Sequence, residues 1–196
     1  MSDPAPLMLS VSGARGIVDA SMTEAVAARF AAAWGSILVE QSSEKTPHAC
    51  LGRDSRPSGE KLAKAAALGL NSAGCNVIDL GLVTTPTVGV MATATGGAGG
   101  MVVTASHNPN PWNGLKCIDA SGAAPPLEVA EELIARFKAL GDDVVNPVQG
   151  RGVETEERGN DTHLARVLGQ VDPGPIQQHA YRVVLDSVNG AGCVPG

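Results

Sequence analysis

The chain is predicted to fold as an α/β domain, a mixed sheet sandwiched by helices. Three observations carry this. Short apolar, β-branched runs alternate with longer segments of helical periodicity. Hydrophobic residues make up 43% of the 196 positions and charged residues 17%, enough for a core and too little charge for a disordered chain. Aromatics reach only 3%, while there are 24 glycines and 13 prolines, so the core is aliphatic and the turns are numerous.

The first helix is expected over residues 21–40. Ser21 and Glu24 are spaced as a capping box, and Val26, Phe30, Trp34 and Ile37 form one apolar face. Residues 49–52 read as a strand that runs into the loop 52–59. A helix over 60–73 follows, with Leu62, Ala66 and Gly69 on one face and Gly74 as its stop. Residues 76–80 read as a strand. Thr84-Thr85-Pro86 starts a helix over 87–95. Residues 96–100 read as a Gly-rich turn, 101–104 as a buried strand and 115–119 as a short strand. A helix over 127–140 shows Ala130, Leu133 and Phe137 to the core, with Gly141 just past its end. Polar residues 141–160 read as a domain edge, 161–171 as a shorter helix, and 181–186 as a strand entering the Gly-rich turn 187–192. A strand feeding such a turn ordinarily opens a βαβ unit. The chain is therefore expected to be a fragment of a longer one.

Several function classes are disfavoured. The net charge is −6, from 14 basic and 20 acidic residues, which argues against nucleic acid as a partner. No apolar run reaches the ~18–20 residues of a membrane helix, and no basic and apolar leader opens the chain. The expectation is a cytoplasmic protein with no membrane partner. Cys50, Cys75, Cys117 and Cys193 are scattered and read as free thiols. His48, His163 and His179 suggest no metal cluster, and the glycines at 96–100 lack the Gly-Lys-Ser/Thr ending of a P-loop.

The segment 104–116 is the most unusual. It places a hydroxyl (Ser106), an imidazole (His107), two amides (Asn108, Asn113), two prolines (Pro109, Pro111) and Lys116 within thirteen positions after a buried-type strand. Prolines remove backbone freedom, so the loop should hold a shape. Rigid polar loops at strand ends are where α/β proteins place their sites. A plain Asx/Pro turn between two strands is the alternative reading.

Thr104-Ala105-Ser106-His107-Asn108-Pro109, followed by Asn113-Gly114-Leu115-Lys116, resembles the active-site serine loop of the α-D-phosphohexomutases. Three further segments resemble that family in the right order. They are Ser12-Gly13-Ala14-Arg15-Gly16-Ile17, Gly52-Arg53-Asp54-Ser55-Arg56-Pro57-Ser58-Gly59, and Val183-Val184-Leu185-Asp186 with Asn189-Gly190-Ala191-Gly192. The resemblance implies domain I with the serine loop over 1–145, a linker and helix over 146–178, and the start of a truncated domain II over 179–196.

It also implies a chemistry. The family carries a phosphoryl group on the loop serine, here Ser106, and passes it to a sugar monophosphate. The resulting bisphosphate reorients and returns its other phosphoryl group, so phosphate moves between C1 and C6. A hexose 1,6-bisphosphate is the expected activator and a sugar phosphate the expected partner. The family's pattern gives Lys116 general acid/base work toward the sugar hydroxyl, His107 a supporting donor or proton-transfer role, and Arg15, Asn108 and Lys116 contact with substrate phosphate. Taken alone, Lys116 reads as a solvated charge, His107 as a backbone hydrogen-bonder and Arg15 as a surface ion pair. Arg53, Asp54 and Arg56 are expected to form an ion-pair scaffold behind the site. The family's Mg²⁺ is held by the serine phosphate and an Asp-Gly-Asp-x-Asp run. Ser106 is its one expected ligand here, because no such run occurs in this sequence. The chain alone is therefore expected to be inactive. Residues 10–16 and 111–114 resemble the phosphoglucosamine mutase branch, with glucose and mannose phosphates as rival substrates and a non-catalytic sugar-phosphate-binding relic as the alternative.

Overall fold

The computed structural model describes residues 6–142, 145, 146, 148 and 150–195. A mixed seven-stranded sheet organises them. In chain order the elements are β1 (Met8–Ser10), β2 (Gly13–Ile17), α1 (Glu24–Gln41), β3 (His48–Arg53), α2 (Gly59–Ser72), β4 (Asn76–Leu82), α3 (Thr85–Ala94), β5 (Gly99–Val103), β6 (Trp112–Asp119), α4 (Leu127–Ala139), β7 (Val153–Thr155), α5 (Gly159–Leu168) and α6 (Pro173–His179). The strand order is β1-β2-β6-β5-β3-β4-β7. The β5-β3-β4-β7 side is parallel, and the β1-β2-β6-β5 side is antiparallel. The expected α/β class is what is found.

The sheet is covered on both faces, and strand alternation sorts the residues between them. Ala49, Leu51, Val77, Met101, Val103, Leu115 and Cys117 face the core shared with α1, α2 and α4. Cys50, Leu80, Val102 and Ile118 face the other way, against Val88, Met91 and Ala92 of α3. The larger core is aliphatic as expected, with Phe30 and Phe137 meeting edge to face, ring centres 5.5 Å apart. On the α3 side, α5 is tied down by His163, whose Nδ1 lies 2.9 Å from the Thr87 hydroxyl.

Several sequence expectations are corrected. Helix α1 begins at Glu24, not residue 21, and its cap is Thr23, whose hydroxyl accepts the Val26 N–H at 3.2 Å. Ser21 is taken by the tight turn after β2, where its hydroxyl accepts the Ile17 N–H at 3.0 Å. Gly99 and Gly100 are not turn residues but open β5, and the Trp34 indole donates to the Gly100 carbonyl at 3.0 Å. Strand β6 starts three residues before expected, because Trp112, Asn113 and Gly114 pair with Ile17, Gly16 and Arg15 of β2. The polar stretch 141–160 contains β7, which adds to β4 in parallel. Residues 181–186 form no strand. Val184 is 93% exposed there, and no other described strand lies beside the segment to take up its backbone groups. Just before it, Asp172 caps the short helix α6 by accepting the Gly174 N–H.

Candidate active site

The carboxyl ends of β3, β4 and β5 lie side by side in the parallel half of the sheet, the place where open α/β sheets bind ligands. From them leave the loops 54–58, 83–84 and 104–111. A cavity of about 560 Å³ opens there. Its wall includes Asp54, Arg56, Thr84, Thr104 and Ser106, and the turn 188–192 borders it from the far end of the chain.

The serine loop has a defined shape. Asn108 N–H donates to Ala105 O at 3.2 Å, and Trp112 N–H to Pro109 O at 3.0 Å, closing two turns around the fixed prolines. Ser106 sits at φ +58°, in the left-handed region that a serine rarely occupies, and its side chain is exposed. His107 Nδ1 lies 3.5 Å from Ser106 Oγ, at the outer limit of a hydrogen bond. Behind the loop, the Ser106 N–H donates to Thr104 Oγ1 at 3.0 Å. The Thr104 hydroxyl in turn donates to Asp54 Oδ2 at 2.6 Å. Asp54 pairs with Arg56 Nε at 3.1 Å. The expected scaffold is therefore Asp54 and Arg56, while Arg53 leaves it and lines a different cavity with Glu60 and Asp79. The Gly-Arg-Asp-x-Arg spacing pointed to this pair; that Thr104 completes it was not visible in the sequence.

Arg15 and Lys116 meet on the antiparallel side. Arg15 stands opposite Gly114, two residues from Lys116 along β6, so the two cations are diagonal neighbours on one face. They line a smaller cavity of about 140 Å³ together with Ser10, Ser12 and Thr104. Gly114 makes the close strand approach possible, since a Cβ there would stand 2.5 Å from Ala14 O and 3.0 Å from Thr104 O. Arg15 Nη1 donates to Asn108 Oδ1 at 3.0 Å, which ties this pocket to the serine loop. Asn113 is fully buried, and its amide donates to Ser58 Oγ at 2.9 Å. The structure thus joins Ser106 to His107, and Arg15 to Asn108 and Lys116. Thr104 borders both cavities, and no hydrogen bond links Lys116 directly to Ser106.

Chemically, the arrangement offers the exposed Ser106 hydroxyl at a polar cavity and two cations in a neighbouring niche that suits an oxyanion. A metal site is not complete among the described residues. No group of three His, Cys, Asp or Glu side chains comes together. Asp54, the carboxylate in the wall beside Ser106, is already engaged by Arg56 and Thr104. These residues do not by themselves fit a hard cation that wants several oxygen ligands.

Fold and site define an α/β/α domain that presents a serine from a clamped loop beside a cationic niche. The sequence profile of phosphoglucomutase/phosphomannomutase α/β/α domain I matches residues 7–143, and the chain belongs to that family. It is 34% identical over 189 residues to a phosphoglucosamine mutase of Kineococcus radiotolerans, covering 94% of this chain and 41% of the relative. It is 32% identical to a phosphoglucomutase/phosphomannomutase of Thermococcus kodakarensis, covering 92% of this chain and 39% of that protein. Among solved structures, a family protein of Burkholderia thailandensis matches with a TM-score of 0.67 at 30% identity, over 84% of this chain and 37% of the other. The chain thus spans about two fifths of the length of the curated relatives it matches.

Proposed function

We propose that this chain is the serine-bearing part of a phosphohexomutase acting on a hexosamine phosphate, an intramolecular phosphotransferase. The observation that carries the reading is Ser106, whose hydroxyl stands exposed on a rigid loop over a cavity at the carboxyl ends of the parallel strands. In the proposed cycle the phosphoryl group on Ser106 Oγ moves to a hydroxyl of the bound sugar phosphate. The bond from phosphorus to Ser106 Oγ breaks, and one to the sugar oxygen forms. Lys116 handles the sugar hydroxyl's proton, and His107, beside Ser106 Oγ, supports proton transfer at the serine. The second phosphoryl group then returns from the sugar bisphosphate to Ser106. Arg15, Lys116 and Asn108 hold phosphate oxygens, Arg15 with its planar fork.

Glucosamine phosphate is favoured because relatives such as those of Kineococcus and Rhodococcus erythropolis are named phosphoglucosamine mutases. Residues 111–114 resemble that branch. Glucose and mannose phosphates are the rivals. The reading brings Mg²⁺ as cofactor, with Ser106 as one ligand and the others outside the described residues, and a hexose 1,6-bisphosphate as activator. It also brings a cytoplasmic location, with which four free cysteines accord. The 196 residues by themselves are expected to be inactive.

The test is phosphoryl uptake. The full-length protein, incubated with glucosamine 1,6-bisphosphate and Mg²⁺, should gain one phosphoryl group, located at Ser106 by peptide mapping. Ser106→Ala should abolish uptake and lower mutase turnover by several orders of magnitude. A wild-type protein that gains no phosphoryl group would instead be a sugar-phosphate-binding relic.

A further inference from the structure

Arg56 has five N–H donors on its guanidinium, and every one is engaged. Nε donates to Asp54 Oδ2 at 3.1 Å. Nη1 donates to Pro109 O at 3.1 Å and Trp112 O at 3.2 Å. Nη2 donates to Ser106 O at 2.9 Å and Asn108 O at 2.7 Å. The four carbonyls span the serine loop from its nucleophile to the first residue of β6. The side chain is only 10% exposed, and no donor is left for a phosphate.

Both sides of Ser106 end on the same ion pair. Its carbonyl is held by Arg56, and its N–H reaches Asp54 through the Thr104 hydroxyl. A serine at φ +58° lies in a sparsely populated region and persists only where its surroundings over-determine it. The occupied Ser106 N–H is also unavailable to a phosphoryl oxygen, which leaves anion binding to side chains.

We infer that Arg56 is the positioning residue of the serine loop. Acting with Asp54 and Thr104, it holds Ser106 in the left-handed conformation that presents the hydroxyl to the cavity, and it makes no contact with substrate. The kinetic part of this inference rests on the mutase reading. Shape, rather than charge, is what Arg56 supplies. Lysine keeps the charge but offers three donors from one point, and it cannot span four carbonyls and a carboxylate.

The test compares Arg56→Lys and Arg56→Gln with wild type in the full-length protein, by hydrogen exchange and by kinetics with glucosamine 6-phosphate. Peptides covering residues 105–113 should exchange at least about tenfold faster in both variants, with α1 and α2 unchanged. Displacing a reacting group by about 1 Å costs on the order of 100-fold, so kcat should fall about 100-fold in both, with KM within about threefold. Wild-type kcat in Arg56→Lys, a raised KM with kcat kept, or unchanged loop exchange would each overturn the inference. If wild type takes up no phosphoryl group, the mutase reading falls and the exchange arm still decides. Faster loop exchange in Arg56→Lys then supports the positioning role, and unchanged exchange overturns it. Thr104→Val, which removes both bonds of the Thr104 hydroxyl, from the Ser106 N–H and to Asp54 Oδ2, and leaves the Arg56 donors in place, should shift both readouts the same way by about tenfold, and it decides the matter if the Arg56 variants do not fold.

Discussion

Replacing Gly69 with alanine tests how the layer behind the site is packed. In an isolated helix this change stabilises by about 1 kcal/mol, because alanine is the better helix former. In α2 the sign should reverse. A Cβ at position 69 would lie 2.1 Å from Ala28 O and 2.8 Å from Ala31 Cβ, both on α1. Contacts of this kind need more than 3 Å, so the helices must part by about 1 Å locally. A gap of 0.5–1 Å already forfeits a quarter to a half of the dispersion energy of the facing atoms. The residues that would lose contact, Ala31, Ala66 and Leu70, are all fully buried. Overpacking of this type costs about 1–3 kcal/mol or somewhat more. The 2.1 Å clash is with a backbone carbonyl that cannot swing aside, so the cost lies at the upper end, about 2–4 kcal/mol, and a net loss of about 1–3 kcal/mol remains after the propensity gain. At about 2–4 °C per kcal/mol for a chain of this size, Tm should fall by about 2–12 °C. Thermal unfolding followed by far-UV circular dichroism reads it directly. An unchanged or raised Tm would mean that α1 and α2 are not held at this spacing, and the packing argument would be wrong.

Other outcomes follow from the same contacts. On the proposed mutase reading, Asn108→Ala in the full-length protein should release Arg15 from the serine loop and raise KM for the sugar phosphate several-fold with a smaller change in kcat, as measured by steady-state assay. Trp34→Phe removes the indole donor to Gly100 O and leaves a void in the fully buried core, and should cost about 1–3 kcal/mol in denaturant unfolding. Iodoacetamide at pH 8 should label Cys193 in the native protein and spare buried Cys50, Cys75 and Cys117, while all four react in denaturant; labelling of Cys117 in the native state would contradict its burial. Burial also raises these three thiols, Cys75 from the usual value near 9 up to about 11. The unfolded chain therefore loses protons first as pH rises, so stability should decline above pH 9 by up to about 1.4 kcal/mol per thiol per pH unit, and Cys117→Ala should flatten that decline.

Much of this molecule is local in origin, and that much was legible in the sequence. α1, α2 and α4 follow from apolar residues at helical spacing, seen in Phe30-Trp34-Ile37, Leu62-Ala66-Gly69 and Leu133-Phe137. β3, β4 and the apolar part of β5 follow from short aliphatic runs, and the serine loop from its prolines and motif. What the tertiary structure decided is the set of interactions that join distant residues. β1, β2 and β7 are three to five residues long, too short to announce themselves before a partner strand completes their hydrogen bonds. Gly99 and Gly100 become strand because β3 and β6 flank them, and residues 181–186 stay out of the sheet because no described strand flanks them. Competition for donors moved the helix cap from Ser21 to Thr23. The hold on Ser106 is of the same kind. Arg56 reaches carbonyls 50 to 56 residues away, and only the parallel pairing of β3 with β5 brings those two loops together. Sequence named the residues with the chemistry; the sheet chose which of them touch, because a side chain's partners depend on chain segments far from it.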